Sequence, residues 1–246
     1  MVFNPLPPIT CMHVRAFIGE MERLAPPDLA EEFDSGRIGL IVEGRPEIGT
    51  VCCALDATAS VVRRAVESGA DMLVVHHTPL WTPVTALTGP TASLMRQLLA
   101  ADMNLYVMHT NFDHCTEGVN DALAELLSLE NRVPLSLGVI GSCTITIDEL
   151  ARRLGGNIRI WGELTSISRL AMVAGSGFDP AFLAEAKEAG ADAFLSAELK
   201  HSVARYSPLP CIEATHYALE APAMRRLALQ KGWHYLDDPP LVRSIV

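Results

Sequence analysis

Short apolar runs alternate with amphipathic stretches along most of this chain, a rhythm that predicts strand then helix, repeated. Residues 51–55 (Val-Cys-Cys-Ala-Leu) read as a strand, and residues 60–68 as a helix with Thr58 as its N-cap. Residues 72–75 form a second apolar strand that runs directly into His76 and His77. Helix is predicted over 92–101, strand over 105–108 and helix over 119–127, before a less regular stretch at 131–146. The rhythm resumes with a short helix from Ile147 ending at Gly155 and Gly156, and a strand over 170–174 that stops at Gly175-Ser176-Gly177. Pro180 sits near the start of a helix reaching Ala189, with Gly190 just past its end. Strands over 192–195 and 211–213 and a helix over 217–230 complete the series. Apolar strands spaced by helices predict an α/β fold whose sheets are mostly parallel, with helices on their faces.

Two segments echo one another. Glu67-Ser-Gly-Ala-Asp71-Met-Leu and Glu188-Ala-Gly-Ala-Asp192-Ala-Phe both give a helix end, a glycine and a strand entry, with a polar cluster a few residues later. One reading is two similar lobes, 1–128 and 129–246, together making one unit. The other is that Gly-Ala-Asp is a common connector from helix to strand.

Composition adds bounds. With 246 residues, 49% hydrophobic and 20% charged, the chain buries a sizeable core as one large domain or two lobes. Its apolar content excludes disorder, and 17 glycines and 6 cysteines exclude collagen-like and disulfide-scaffold classes. No apolar run approaches the roughly 18 residues of a membrane span. The start, Met1-Val-Phe-Asn-Pro, lacks both parts of a secretory leader, so a cytoplasmic protein with no membrane partner is expected. A formal charge of -10 argues against a nucleic-acid partner, because counterion release needs clustered Lys and Arg. What stands out is 8 histidines beside 29 acidic residues, and where those histidines fall.

Three polar clusters follow three predicted strands, at the carboxyl edge where open α/β sheets build ligand sites. His76 and His77 end one strand, placed so that both rings can turn to one site or each to a different ion. His109-Thr-Asn-Phe-Asp113 follows the next. Asp113 can coordinate or bridge two ions, and Asn111 can support them; Asn and Asp here are equally plain turn chemistry. Thr215-His216-Tyr-Ala-Leu-Glu220 follows the third, and its spacing puts His216 and Glu220 on one helix face. That pair is either a two-ligand clamp or a surface pair worth a few tenths of a kcal/mol. A surface pair does not explain three clusters after three strands.

Together His76, His77, Asp113, His216 and Glu220 offer three imidazoles and two carboxylates. The set is too large for one tetrahedral zinc and too poor in sulfur for a structural one. It suits two divalent ions roughly 3.5–4 Å apart, bridged by a carboxylate or water. Mixed nitrogen and oxygen donors accept Zn, Mn, Fe, Co or Ni alike. There is no His-Glu-x-x-His, and Pro208 and Pro210 between two Glu-x-x-His spacings rule out a di-iron bundle. The cysteines make no Cys-x-x-Cys, and Cys52 and Cys53 read as buried strand residues. Gly175-Ser176-Gly177 reads as a tight turn more readily than as a phosphate loop. Glu198-Leu-Lys200-His201 either lines the same cleft, with Glu198 as acid/base, or is an exposed helix start.

These motifs together resemble the dinuclear-metal-centre family of NGG-one-interacting factor three, whose members are often labelled GTP cyclohydrolase I type 2 homologues. The resemblance runs from Asp34 to the C-terminus, in matching order and spacing. In the first half it rests on Asp34-Ser-Gly-Arg-Ile-Gly39-Leu40, Ala54-Leu-Asp56-Ala-Thr58, His76-His77-Thr-Pro-Leu-Trp81 and His109-Thr-Asn-Phe-Asp113. In the second half it rests on Gly175-Ser-Gly177, Gly190-Ala-Asp192, Glu198-Leu-Lys-His201 and His216-Tyr-Ala-Leu-Glu220. The resemblance implies two similar three-layer α/β lobes facing a cleft with two metal ions, the same five ligands, and a toroidal homohexamer. It also implies a short form, without the domain that many relatives insert between the halves. Thr215 stands where the family usually has Gly, and Ser196-Ala197-Glu198 where it has Thr-Gly-Glu; neither change touches a ligand.

Two functions follow. One is a metal-dependent hydrolase acting on a small molecule, either a nucleotide such as GTP or a phosphoester, with Glu198 or His109 as proton-transfer group. The other is a non-catalytic metal-binding assembly or regulatory protein, whose ions hold lobes or subunits together.

Overall fold

The protein is described by a computed structural model over residues 11–242. They divide into two units: the described residues through Cys115 with Met224–Asp238, and Thr116–Ala223 with the described residues from Pro239.

The first unit begins with β1 (Met12–His13), α1 (Val14–Leu24) and two single-turn helices, Pro27–Leu29 and Glu32–Asp34. It continues through β2 (Gly39–Val42), β3 (Glu47–Ile48), β4 (Val51–Asp56), α2 (Ala59–Glu67) and β5 (Met72–His77). Then come α3 (Gly89–Ala100), β6 (Asn104–Val107) and α4 (Thr110–His114). The second unit carries α5 (Val119–Leu126), β7 (Glu130–Pro134), β8 (Val139–Ile145), α6 (Ile147–Arg153), β9 (Ile158–Trp161) and β10 (Ile167–Met172). It goes on with α7 (Pro180–Glu188), β11 (Ala193–Ser196), α8 (His201–Tyr206), β12 (Cys211–Ala214) and the start of α9 (His216–Lys231). From Met224 onward α9 belongs to the first unit, as does β13 (His234–Tyr235).

The first sheet has five strands in the order β13-β4-β5-β6-β2. All neighbours are parallel except β2, which runs antiparallel to β6. β4 and β5 are apolar on both faces until their last residues, as strands covered on both sides by helices must be. Thr58 starts α2 by accepting a hydrogen bond from the Val61 amide. That helix lays Val61, Val62 and Ala65 into the same core as Ala54, Leu73 and Val75. Each fully buried Val or Leu contributes about 1.5–3 kcal/mol.

The second sheet has six strands in the order β7-β8-β10-β11-β12-β9. Its centre, β10-β11-β12, is parallel, while β7, β8 and β9 pair antiparallel, so this sheet is mixed. The irregular stretch in the sequence is in fact the β7–β8 hairpin. It carries no apolar period because every residue of β7 is exposed. Gly138, at φ +81, closes the hairpin where a Cβ would lie 2.1 Å from the Met172 carbonyl oxygen. Ile140, Ala171, Leu183 and Phe194 are among the core residues of this unit.

The Gly-Ala-Asp echo has a shared structural task. Gly69 (φ +70) and Gly190 (φ +81) end α2 and α7 in the left-handed region that glycine tolerates. The next amides, of Ala70 and Ala191, donate back to the carbonyls of Ala65 and Ala186. Each aspartate then accepts two consecutive amides: Asp71 those of Gly49 and Thr50 at 2.9 and 2.8 Å, Asp192 those of Ser168 and Arg169 at 2.8 Å each. Both units therefore contain a β-α-β-α-β core in which the connector clasps the neighbouring strand. Among the described residues, no helix is long and apolar enough to cross a membrane.

Candidate metal centre

β4, β5 and β6 are parallel neighbours, so their carboxyl ends leave the sheet at one edge. β4 ends on Asp56, β5 on His76 and His77, and β6 runs through Met108 into His109, the N-cap of α4. The sequence pattern ends the middle strand at residue 75. In the structure it continues to His77, because the pairing of Asp56 with His77 extends the ladder.

Each of these imidazoles is tethered through Nδ1. His76, fully buried, has Nδ1 2.8 Å from the Met108 carbonyl oxygen. His77 Nδ1 lies 2.7 Å from Asp56 Oδ1, and His109 Nδ1 lies 2.9 and 2.8 Å from the two oxygens of Asp34. With an oxygen acceptor there Nδ1 carries the proton, so that Nε2 is the lone-pair atom whenever the ring is neutral. The rings crowd together, with centroids 4.8 Å apart for His76 and His77, 5.1 Å for His76 and His109, and 5.6 Å for His77 and His109. One ligating atom from each of the three lies within 4.8 Å of the others. Asp113, on the next turn of α4, brings Oδ1 to 3.6 Å from His76 Nε2.

Asp34 is fully buried and also accepts hydrogen bonds from the Thr110 amide (3.1 Å) and the Thr110 hydroxyl. Burial by itself would raise its carboxyl pKa. The hydrogen bonds from His109 and Thr110, with the His109 charge, outweigh burial and hold it below the usual carboxylate range.

In the second unit β12 passes through Thr215 into α9, whose first residue is His216. Its Nδ1 lies 2.8 Å from Glu198 Oε1, and its Nε2 lies 3.0 Å from Glu220 Oε2 one turn on. Glu220 is buried, whereas the Glu198 side chain is largely exposed. The Glu198 backbone sits at φ +63 just beyond β11, a conformation uncommon outside glycine. Gly175 (φ +74) cradles the pair: a Cβ there would lie 2.2 Å from Glu220 Oε1 and 3.3 Å from His216 Nε2. The Gly175-Ser176-Gly177 turn is fastened by Ser196, whose hydroxyl donates to the Gly175 carbonyl and accepts from the Gly177 amide. This is the tight-turn reading of that motif. A cavity of about 390 Å³ adjoins His216, lined by Asn157, Arg159, Glu198, Glu213 and Thr215 among others. Lys200 and His201 form an exposed helix start on α8.

Within the first unit the structure thus gathers His76, His77, His109 and Asp113; within the second it gathers His216, Glu220 and Glu198. The two groups have the same form. In each, the third strand of the β-α-β-α-β core leads to a histidine at the start of a helix and, four residues on, a carboxylate: His109, the N-cap of α4, with Asp113, and His216, the first residue of α9, with Glu220. Sequence reasoning used that spacing for the second pair alone. It also missed Asp34 and Asp56 as partners of the histidines, although Asp56 ends a strand beside the His76-His77 strand. Imidazole nitrogens with fixed tautomers, set beside carboxylates, make a donor set suited to divalent first-row ions.

Residues 12–232 match the family described as Duf34/NIF3 (NGG1p interacting factor 3). The chain belongs to the NIF3 family. A relative from Methanocaldococcus jannaschii named GTP cyclohydrolase 1 type 2 homolog is 34% identical over 229 residues, 87% of this chain and 93% of the relative. One of the same name from Streptomyces coelicolor is 35% identical over 234 residues, 83% of this chain and 80% of the relative. Among solved NIF3-like folds, reduced HcgD from Methanocaldococcus jannaschii superposes with a TM-score of 0.79 at 30% identity, covering 92% of this chain and 98% of that one.

Proposed function

We propose that this NIF3 chain is a cytoplasmic, dinuclear metal-dependent hydrolase that acts on a nucleotide or related phosphoester, assembled as a homohexamer. The observation that carries the reading is the tethering of four imidazoles. His76, His77, His109 and His216 each hold Nδ1 against an oxygen, and Asp113 and Glu220 stand at the Nε2 atoms of His76 and His216. We assign His76, His77, Asp113, His216 and Glu220 as ligands of two divalent ions, from Zn, Mn, Fe, Co or Ni. Two such ions would lower the pKa of a bound water from 15.7 to roughly 7 and polarise a substrate oxygen.

The chain's own groups supply the rest. His109 is the proton-transfer residue, and Asp34 orients its ring through Nδ1, as a buried carboxylate does for the histidine of a hydrolytic triad. Glu198, the other acid/base candidate, also holds Oε1 2.8 Å from His216 Nδ1 and so positions that ring. The nucleotide preference is supported by the relatives' name, GTP cyclohydrolase 1 type 2 homolog. The hexamer rests on the family resemblance. The cytoplasmic address is supported by the use of Cys52, Cys53, Cys143 and Cys211 as buried packing residues, which suits a reducing compartment.

Tag-free, metal-loaded protein should turn over GTP or a generic phosphodiester, and His77→Ala should abolish that turnover while leaving the fold intact. No turnover above a metal-free control for either substrate class would overturn the enzyme reading. If chelation then changed oligomer size or melting temperature, the ions would be holding an assembly together instead.

A further inference from the structure

We infer that Phe33 and Trp81 form an aromatic clamp at His109 that receives the planar heterocycle of the substrate. The inference rests on the hydrolase reading above for its substrate class and on three observations for its place. First, both rings stand edge-on to the His109 imidazole, with centroids 6.2 Å away at 67° for Phe33 and 5.1 Å away at 80° for Trp81. Second, both remain exposed there, at 54% and 44%, in a unit that buries Phe17, Tyr106 and Phe112 almost completely. Third, one side chain braces the two segments that carry them. Arg37 Nε donates to the Trp81 carbonyl at 2.7 Å, an Arg37 Nη donates to the Phe33 carbonyl, and the guanidinium lies over the indole, 6.0 Å from its centroid.

Each aromatic is also anchored to the centre through the chain. Phe33 directly precedes Asp34, the carboxylate that holds His109, and Trp81 lies four residues beyond His77. Ring and donor positions are therefore fixed together, so little order remains to be imposed when a ligand binds. Arg37 lies over the Trp81 ring, and the residue still keeps 44% of its surface exposed. Aromatic stacking is tolerant of which base it meets, because every base has a π-face. The clamp accordingly selects for a flat heterocycle and leaves phosphate recognition to other groups.

The test is a binding experiment, independent of turnover. Tag-free protein is titrated with guanosine, GTP and inorganic triphosphate, read by tryptophan fluorescence and calorimetry. Trp81→Ala should weaken guanosine and GTP about 5- to 100-fold, Trp81→Phe should stay within about threefold of the parent, and triphosphate should bind all three alike. Phe33→Ala repeats the test at the other ring. Guanosine that does not bind, or binds Trp81→Ala and Phe33→Ala as tightly as the parent, overturns the clamp. Binding through Trp81 by a protein that hydrolyses nothing would uphold the clamp and sink the hydrolase reading. GTP turnover whose KM and kcat are indifferent to both substitutions would do the reverse.

Discussion

Asp34 and Asp56 accept from Nδ1 of His109 and His77 and so leave Nε2 of each ring as the lone-pair atom. For a proposed ligand such as His77, partners of this kind typically govern metal affinity by about 10–100-fold. Asp56→Ala should therefore weaken divalent-ion binding by about 10–100-fold in a chelator competition; unchanged affinity would show that His77 needs no orienting group. A second residue tests the core. Burial, and to a lesser extent the Glu22 charge, push the Tyr106 phenol up to about 12. An unperturbed tyrosine ionises near pH 10, so the unfolded chain loses this proton first. The stability that Tyr106 contributes is complete below about pH 10 and is lost as pH rises toward 12. Near-ultraviolet titration of the folded protein should show one of its 4 tyrosines ionising well after the others; a single shared transition would contradict its burial. Residue chemistry was legible in sequence where it broke a pattern: histidines have no packing reason to follow three apolar strands. Asp34 was not, because its partner lies 75 residues away and no local pattern links them.

At the scale of elements, what was readable was what is buried. β4, β5, β6, β11 and β12 are apolar runs, α2 and α7 announce themselves by their caps, and α5 by its apolar period. The strands β7 and β9 were not legible: β7 is exposed throughout, and β9, at the far edge of the same sheet, only alternates between half-buried and exposed. Edge strands satisfy one side of their ladder and hide little apolar surface, so hydrophobic patterning barely registers them. The hairpin that ends in β8 depends on Gly138, whose left-handed backbone and missing Cβ let the Met172 carbonyl approach. Gly138→Ala should cost on the order of 1–3 kcal/mol and lower the melting temperature by several degrees. An unchanged melting temperature would mean that the β7–β8 turn is not packed against β10 as described.

The whole molecule repeats one device. Each unit builds a β-α-β-α-β core, clasps it with Gly-Ala-Asp, and turns from its third strand into a helix that sets a histidine and a carboxylate one turn apart. The echo visible in the sequence was this connector, and the repetition of chemistry beyond it needed the folded strands to be seen. Of the five residues proposed as ligands, three belong to the first unit and two to the second. Elemental analysis of tag-free protein tests that assignment most directly. About two divalent ions per chain are expected, falling on substitution of His76 in one unit or Glu220 in the other. Protein that carries no ion after equilibration with Zn, Mn, Fe, Co and Ni in turn, or whose ion content is indifferent to both substitutions, would contradict it.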